Sequence, residues 1–361
     1  MSESATASAP AKTQPKAKKN RLSSGFFRFV LTRFLLIIPT VFILVTIVFF
    51  VMRATGDPIS AAMGGRLTPE ELQRRIHAAG YDRPLVVQYL DYLGGLLRGD
   101  LGTTLTDNQP VTTILTRYGA ATFELAFLSL IVALIVGIGL GRLAARRRDH
   151  AADAGIRVFA ILCYATPVFF LGLMLKLVFA VWLNVLPPSG RSSFASDMQF
   201  QRLVSPTGFY IIDAFQLGDM SVLVDVLRHA VLPALALGLL TAGVFIRLVR
   251  TNVISTYTSG YVEAARSRGV SEGRLLPKHA SRPAMIPIIT VMGMQIALML
   301  AGAVLTETTF EWKGLGFMLS QYLKQRDFVA VQGIVILIAI IVAVVNFIVD
   351  VISALIDPRV R

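Results

Sequence analysis

The chain has 361 residues, of which 54% are hydrophobic and only 16% are charged, and its mean hydropathy is +0.65. Soluble domains carry about 25% charged residues, so this composition excludes a water-soluble globular protein and indicates that lipid surrounds most of the chain. The net charge of +13 lies mainly between the apolar stretches, which favours a membrane surface over nucleic acid as the partner of the basic regions.

Residues 1–25 are rich in Ser, Ala, Lys and Pro and show no apolar periodicity. This composition predicts a disordered, basic cytoplasmic tail that lies against anionic lipid headgroups. A cleaved signal peptide is not indicated, because the following apolar run is too long and no small-residue cleavage site comes after it. The remaining residues, 26–361, are predicted to form one transmembrane domain.

Six apolar stretches are long enough to span a hydrocarbon core, which requires about 20 residues. They predict an all-α membrane protein with six transmembrane helices. Basic residues are concentrated before the first stretch and in the loops 142–157 and 247–282. Because cytoplasmic loops carry the excess of Lys and Arg, both termini are predicted to be cytoplasmic, which agrees with an even number of spans. The stretches are Phe34–Met52, Leu125–Gly141, Val158–Leu183, Ala230–Ile246, Ala284–Thr306 and Phe328–Val349.

The segment between the first two stretches, about residues 54–122, is predicted to form a small helical cap on the external face. It opens with a Gly-Asp-Pro turn at 56–58. Thr68 followed by Pro69 and two acidic residues indicates a helix start, and this helix is predicted to run to about Ala79. Apolar residues at helical spacing predict two further helices, at about Leu85–Leu97 and Pro110–Arg117.

Prolines and glycines within the stretches predict local departures from a straight helix. Pro167 and Pro233 predict kinks, because proline removes an intrahelical hydrogen bond. Gly137, Gly139 and Gly141 lie in the second stretch and predict the close approach of another helix.

The loop between the fourth and fifth stretches, about residues 247–283, carries the most informative pattern. A short helix is predicted to start at Ser259 or Gly260, with an acidic residue in its first turn and basic residues in its last, where the helix dipole favours each charge. Gly269 suits the left-handed position that ends a helix, and a second short helix is predicted at about Glu272–Ala280. A compact polar helix in a basic loop is suited to a soluble partner. The candidate contact residues are Tyr261, Glu263, Ala264, Ala265, Arg266, Arg268 and Gly269.

Three polar residues in or beside the predicted spans are further candidates, for a translocation pathway or for docking of an external protein. Glu307, at the external end of the fifth stretch, either contacts substrate or a docking protein or caps the following turn at headgroup level. Lys176, the charged residue of the third stretch, either reaches to the outer face or faces a cavity. Gln295 either lines a pathway or forms an interhelical hydrogen bond.

The sequence offers little for catalysis. It has no phosphate-binding loop of the Gly-x-x-x-x-Gly-Lys-Ser/Thr type and no His-Glu-x-x-His motif. Its four histidines lie outside the predicted spans and show no metal-ligand spacing, and Cys163 is its one cysteine. The chain is therefore predicted not to be an enzyme and to bind no cofactor or metal, with Cys163 as a packing residue.

Several short segments, taken in order, point to a known family. The segment Glu263-Ala264-Ala265…Gly269 is similar to the coupling motif of ATP-binding-cassette permeases. The others are Gly56-Asp57-Pro58, Asp82-Arg83-Pro84-Leu85, Gly99-Asp100-Leu101-Gly102, Leu186-Pro187-Pro188-Ser189-Gly190, His229-Ala230-Val231-Leu232-Pro233-Ala234, Glu307-Thr308-Thr309-Phe310, Gly314-Leu315-Gly316, Arg326-Asp327 and Asp357-Pro358-Arg359. Over about residues 28–361, the chain resembles the B-type permease subunits of the dipeptide, oligopeptide and nickel group of ATP-binding-cassette importers.

The resemblance implies a half-channel for peptides in a bacterial-type cytoplasmic membrane. The implied partners are a second homologous permease, two ATPase subunits that use ATP and Mg²⁺, and an extracytoplasmic solute-binding protein. The short helix would receive the motion of the ATPases. Two alternatives stay open: a permease of this group for nickel or another small solute, and an ion-coupled carrier or channel. A carrier would normally hold several charged residues within its spans, where this chain has Lys176.

Overall fold

The structure of the protein is a computed structural model that describes residues 24–65, 67–271, 274–275 and 284–356. Over these residues the secondary structure is helical, apart from an isolated antiparallel bridge between Thr103 and Pro110, which confirms the predicted all-α fold. Most of the predicted basic tail, most of the predicted helix Glu272–Ala280 and the last five residues lie outside the described ranges.

The helices are numbered in chain order. They are α1 (Ser24–Ala54), α2 (Pro58–Met63), α3 (Pro69–Ala78), α4 (Leu85–Leu97), α5 (Val111–Arg146), α6 (Ala151–Ala165), α7 (Val168–Leu175), α8 (Phe194–Phe200), α9 (Tyr210–Leu217), α10 (Met220–Tyr257), α11 (Gly260–Ser267), α12 (Ile286–Phe310), α13 (Leu315–Lys324) and α14 (Phe328–Ile356). A π-helical segment, Lys176–Trp182, continues α7.

In the described part of the chain, four helices are long and apolar enough to cross a membrane by themselves: α1, α5, α10 and α14. They coincide with the first, second, fourth and sixth predicted spans. The third predicted span is a bent pair, in which α6 and the unit formed by α7 and the π-helical segment meet at a bend of 109°. The fifth is α12, which bends by 45° between Leu300 and Gly302. Six crossings result if each bent pair is one crossing.

The bend between α6 and α7 has a local cause. Pro167 has no N–H to donate and disfavours helical backbone at the residue before it. Thr166 is accordingly extended, with ψ of 126°. The predicted departure from a straight helix at Pro167 is confirmed, but the chain turns much further than a kink, and a continuous helix over Val158–Leu183 does not form. In contrast, α10 continues through Pro233.

Two long helices extend beyond the apolar stretches that predict them. α5 has 36 residues and includes most of the segment Pro110–Arg117, for which the sequence predicts a separate helix. α10 has 38 residues, so it begins before Ala230 and also occupies the first part of the predicted loop 247–283. The hydrogen bonds within a helix do not require lipid, so hydropathy marks the membrane-spanning part of a helix and not its ends.

α5 and α10 pack closely through glycines of α5. A Cβ atom added at Gly137 would lie 2.5 Å from the Cβ of Phe245, and one at Gly141 would lie 2.7 Å from the Cβ of Val249. At Gly139, apart from neighbouring residues and the backbone of its own helix, no atom lies within 4 Å of that position. The predicted close approach of another helix is therefore confirmed at the first and third of these glycines.

We expect Gly137→Ala to destabilise the protein and Gly139→Ala to be neutral or stabilising. Both changes improve helix propensity by about 1 kcal/mol. At Gly137, however, the added methyl group forces α5 and α10 apart, and overpacking of this kind costs about 1–3 kcal/mol. Thermal unfolding of the two purified variants in detergent measures the difference. Equal unfolding temperatures would contradict the close packing of α5 on α10.

The segment between α1 and α5 contains three short helices, α2, α3 and α4, which we call the cap. The Asp57 side chain caps α2 by accepting a hydrogen bond from the Ser60 N–H at 2.7 Å, Thr68 caps α3 as predicted, and α4 has its predicted bounds. The hydroxyls of Tyr89 on α4 and Thr46 on α1 lie 2.6 Å apart, so the cap rests on the end of α1. We call this end of the helix bundle the cap end, and the opposite end, where α10 leads into α11, the α11 end.

Candidate functional site

The short helix α11 has one anchored side and one open side. It spans Gly260–Ser267 after Ser259, as predicted. Val262 is fully buried and fixes the helix to the rest of the protein, while Ala265 is half-buried. The other candidate contact residues are all exposed, and they are Tyr261, Glu263, Ala264, Arg266, Arg268 and Gly269.

The end of α11 has the predicted left-handed backbone. Gly269 has φ of +80°, a conformation that glycine adopts without strain. Its N–H donates to the Arg266 carbonyl at 2.9 Å, and the Val270 N–H donates to the Ala265 carbonyl at 3.3 Å. The guanidinium of Arg266 lies 5.1 Å from the centre of the Tyr257 ring at the end of α10. The side chain of Arg266 is thus held against the end of α10.

A buried ion pair joins α10 to α6 near the α11 end. Arg250 on α10 donates from Nε and Nη2 to the two carboxylate oxygens of Asp153, each at 2.7 Å. Asp153 is fully buried and also accepts from the Asp149 N–H at 3.2 Å. Such paired hydrogen bonds between arginine and carboxylate hold orientation as well as distance. α6 and α10 are therefore tied together ten residues before α11 begins.

Glu307 is a buried hydrogen-bonding centre at the cap end. Its Oε1 accepts from the Thr122 hydroxyl at 2.7 Å, and its Oε2 accepts from the Phe317 N–H at 2.9 Å. The Leu315 N–H in turn donates to the Thr122 oxygen at 2.8 Å. Since the side chain is fully buried, Glu307 joins α5, α12 and α13 rather than presenting a free carboxylate within this chain.

The other two polar candidates lie apart from each other. The Nζ of Lys176 donates to the Thr309 carbonyl at 2.9 Å and lies 5.5 Å from the centre of the Phe310 ring. It thus links the π-helical segment to the end of α12. Gln295 is buried within α12. The structure therefore brings Lys176 and Glu307 to the same end of α12, at the cap end and away from α11.

A second buried ion pair at the cap end is absent from the sequence-based candidates. Arg191 Nη2 donates to Glu124 Oε2 at 2.6 Å and to the Gly208 carbonyl at 2.9 Å. Glu124 Oε1 also accepts from the Ile211 N–H at 2.8 Å, and the guanidinium lies 3.7 Å from the centre of the Tyr210 ring. A usable signal exists in the sequence: Glu124 directly precedes an apolar stretch, and a carboxylate at such a position needs a partner.

Asp327 ties the segment before α5 to the start of α14. Its Oδ2 accepts from the N–H groups of Leu105 and Thr106 at 2.6 and 2.9 Å, and its Oδ1 accepts from the Ala330 N–H at 3.2 Å. Asp327 is fully buried. The acidic residue of the Arg326-Asp327 segment therefore has a structural role at the cap end.

A cleft of about 610 Å³ opens at the cap end beside this second ion pair. Its walls carry charges of both signs from four segments of the chain. Burial raises the pKa of the Tyr210 phenol above its usual value, although the nearby Arg191 opposes this. The charged and aromatic lining residues include Arg117, Arg191, Asp197, Tyr210, Glu311 and Lys313.

Family comparisons cover almost the whole described chain. Residues 26–125 match the N-terminal part of a membrane component of binding-protein-dependent transport systems, and residues 135–361 match the family "binding-protein-dependent transport system inner membrane component". The chain belongs to this family. It is thus a multi-pass membrane permease component, and its resemblance to importer permeases of the ATP-binding-cassette type is confirmed.

Similar bacterial proteins match this permease over most of their length. The di/tripeptide transport system permease protein DppB of Pseudomonas aeruginosa is 37% identical over 92% of this chain and 98% of its own length. The dipeptide transport system permease protein DppB of Escherichia coli K12 has the same identity and coverage. The probable D,D-dipeptide transport system permease protein DdpB of E. coli K12 is 36% identical over 84% of this chain and 88% of its own length.

Proposed function

We propose that this chain is the permease subunit of an ATP-driven importer that carries peptides across the cytoplasmic membrane. The substrate class is supported by relatives named for dipeptide and di/tripeptide transport that match over 98% of their length. The chain would not hydrolyse ATP itself. A second homologous permease, two ATPase subunits with ATP and Mg²⁺, and an extracytoplasmic binding protein would complete the assembly. Both termini and α11 would face the cytoplasm, and the cap would face outward.

The observation that carries the proposal is the placement of α11. Val262 anchors the helix, while Tyr261, Glu263 and Ala264 are exposed. The small side chain of Ala264 would let a partner surface approach the helix closely, and Arg266 and Arg268 would pair with acidic groups on an ATPase subunit. Docking therefore requires no rearrangement of α11 itself.

Motion of α11 would reach the membrane through α10. α11 follows α10 after a two-residue connection, Thr258-Ser259, and α10 is tied to α6 by Arg250 and Asp153. Glycine-mediated packing joins α10 to α5 as well. ATP-driven closure of the ATPase pair would thus move α5, α6 and α10 together, as alternating access by rigid-body motion requires. At the cap end, the cleft beside Arg191 offers charged groups for the binding protein.

The test is ATP-driven uptake by the complete transporter in proteoliposomes. We expect Glu263→Lys to lower uptake of a labelled dipeptide at least tenfold while the assembly remains in the membrane. The substitution puts a positive charge in the first turn of α11, which costs helix stability only about 0.3–1 kcal/mol but alters the contact surface. Unlabelled dipeptide, and not Ni²⁺, should compete with the labelled substrate in the wild type.

Glu70→Lys is the matched control for this experiment. Glu70 is also an exposed acidic residue in the first turn of a short helix, α3, but it lies at the cap end. The Glu70→Lys substitution should leave uptake and ATP hydrolysis unchanged. Wild-type uptake in the Glu263→Lys variant would refute α11 as the contact for the ATPases.

A further inference from the structure

A separate polar cavity of about 330 Å³ lies at the cap end, under α4. It is bounded by three parts of the chain that are distant in sequence. Arg53 comes from the end of α1, Gln88 and Tyr92 come from α4, and Gln332 comes from the beginning of α14. None of these residues belongs to α11 or to the cleft beside Arg191.

Four polar atoms in the wall of this cavity are buried and have no hydrogen-bond partner. They are Arg53 Nε, Gln88 Oε1, Tyr92 OH and Gln332 Nε2. The described part of the chain has seven such side-chain atoms, so more than half of them belong to residues that line one small cavity. Gln88 and Gln332 are only 9% and 7% exposed. Proteins rarely leave buried polar groups unsatisfied, so this cluster indicates that the cavity has a polar occupant.

The neighbouring contacts fix the direction of two of these groups. Gln88 Nε2 donates to the carbonyls of Tyr81 and Arg83 at 2.9 and 2.7 Å, so Oε1 is the atom left to accept from an occupant. The Arg53 guanidinium lies 4.4 Å from the centre of the Tyr81 ring and 5.2 Å from that of Phe49. The aromatic rings thus hold this cation in place and leave its Nε–H available.

The required chemistry is that of a zwitterion. Arg53 Nε and Gln332 Nε2 need an acceptor, which an anionic group supplies, whereas Gln88 Oε1 needs a donor. Two exposed carboxylates, Asp91 and Asp100, also line the cavity. Asp91 lies 3.5 Å from Arg83, so Asp100 is the carboxylate that favours a positive group in the occupant. A phosphate joined to an ammonium group meets both requirements.

The surroundings of the cavity are apolar and lie where a helix leaves the membrane. In the last turns of α1, next to Arg53, Phe50 and Val51 are exposed. On the side of α4 turned away from the cavity, Val86 and Leu90 are exposed, which is the pattern of a helix in the membrane interface. The cavity holds one arginine and two carboxylates, which suits a headgroup that carries both charges. We propose that this cavity binds the phosphoethanolamine headgroup of a phospholipid, with the acyl chains along the exposed face of α1.

The test is lipid binding to the full chain assembled with its partner subunits, measured by native mass spectrometry after delipidation. Dioleoyl-phosphatidylethanolamine should bind the wild type more tightly than dioleoyl-phosphatidylglycerol, which lacks the ammonium group. Removing a charged or buried hydrogen-bond donor should weaken binding about tenfold, so we expect this loss in Arg53→Gln and in Gln332→Leu.

Two controls keep this test decisive. Arg98→Gln removes an exposed arginine of the same cap that does not line the cavity, and it should leave binding unchanged. If Arg53→Gln fails to assemble, Gln332→Leu still tests the cavity, because this variant keeps the charge of Arg53 and removes one hydrogen-bond donor. Equal losses in Arg98→Gln and Gln332→Leu, or equal affinity for both lipids, would overturn the proposal. Equally tight binding of soluble phosphoethanolamine or glycylglycine would assign the cavity to a soluble zwitterion. A cryo-EM map of the transporter in nanodiscs that shows only water density in the cavity would also contradict the proposal.

Discussion

Arg191→Leu is expected to lower the free energy of unfolding by about 3–5 kcal/mol, because it leaves a buried carboxylate without its cation. Arg191 Nη2 and Glu124 Oε2 lie 2.6 Å apart, and both side chains are almost fully buried. The substitution also removes the contact of the guanidinium with the Tyr210 ring. Unfolding of the purified protein by a denaturing detergent, followed by the loss of helical circular dichroism, measures the effect.

The exposed pair of Arg83 and Asp91 provides the matched control. Its atoms lie 3.5 Å apart, and the side chains are 59% and 65% exposed, so Arg83→Leu should cost less than about 1 kcal/mol. Adding Glu124→Gln to Arg191→Leu should recover part of the lost stability, since the second change removes the unpaired charge. If the two arginine variants were equally stable, the ion pair at the cap end would not be the buried contact that the structure shows.

Asp153→Ala is expected to destabilise the protein by about 3 kcal/mol and to loosen α6 from α10. The substitution leaves Arg250 without either of its 2.7 Å hydrogen bonds, and only the partial exposure of Arg250 lets water replace some of them. The same detergent unfolding measurement applies. Because the ion pair holds α10, which leads into α11, uptake by the assembled transporter should fall as well if the proposed function is correct.

Arg157→Leu is the control for this second prediction, since Arg157 also approaches Asp153. Its Nε lies 3.8 Å from the carboxylate and its side chain is largely exposed, so the loss should stay below about 1 kcal/mol. A loss in Arg157→Leu as large as that in Asp153→Ala would mean that Arg250 is not the partner that matters.

Local signals in the sequence predict local structure well in this protein. α4 and α11 have their predicted bounds, because glycines and apolar spacing act within a few residues. Gly269 has its predicted left-handed backbone for the same reason. Hydropathy predicts which segments cross the membrane, but it does not predict that α10 continues to Tyr257 or that the chain turns by 109° at Pro167.

Contacts between distant parts of the chain are what the sequence does not predict. Glu124 and Arg191 are 67 residues apart, and Asp153 and Arg250 are 97 apart, so no spacing rule connects them. The role of Glu307 likewise depends on Thr122, 185 residues away. A single sequence indicates that a carboxylate near lipid needs a partner, but only the packing of the helices identifies that partner.

The length of α10 has a mechanical consequence. Its 38 residues measure about 57 Å at 1.5 Å per residue, nearly twice the roughly 30 Å of a hydrocarbon core. If α10 rotates about its midpoint by about 10°, its two ends move in opposite directions by about 5 Å each. A small displacement of α10 at one membrane surface would therefore produce an opposite displacement at the other surface.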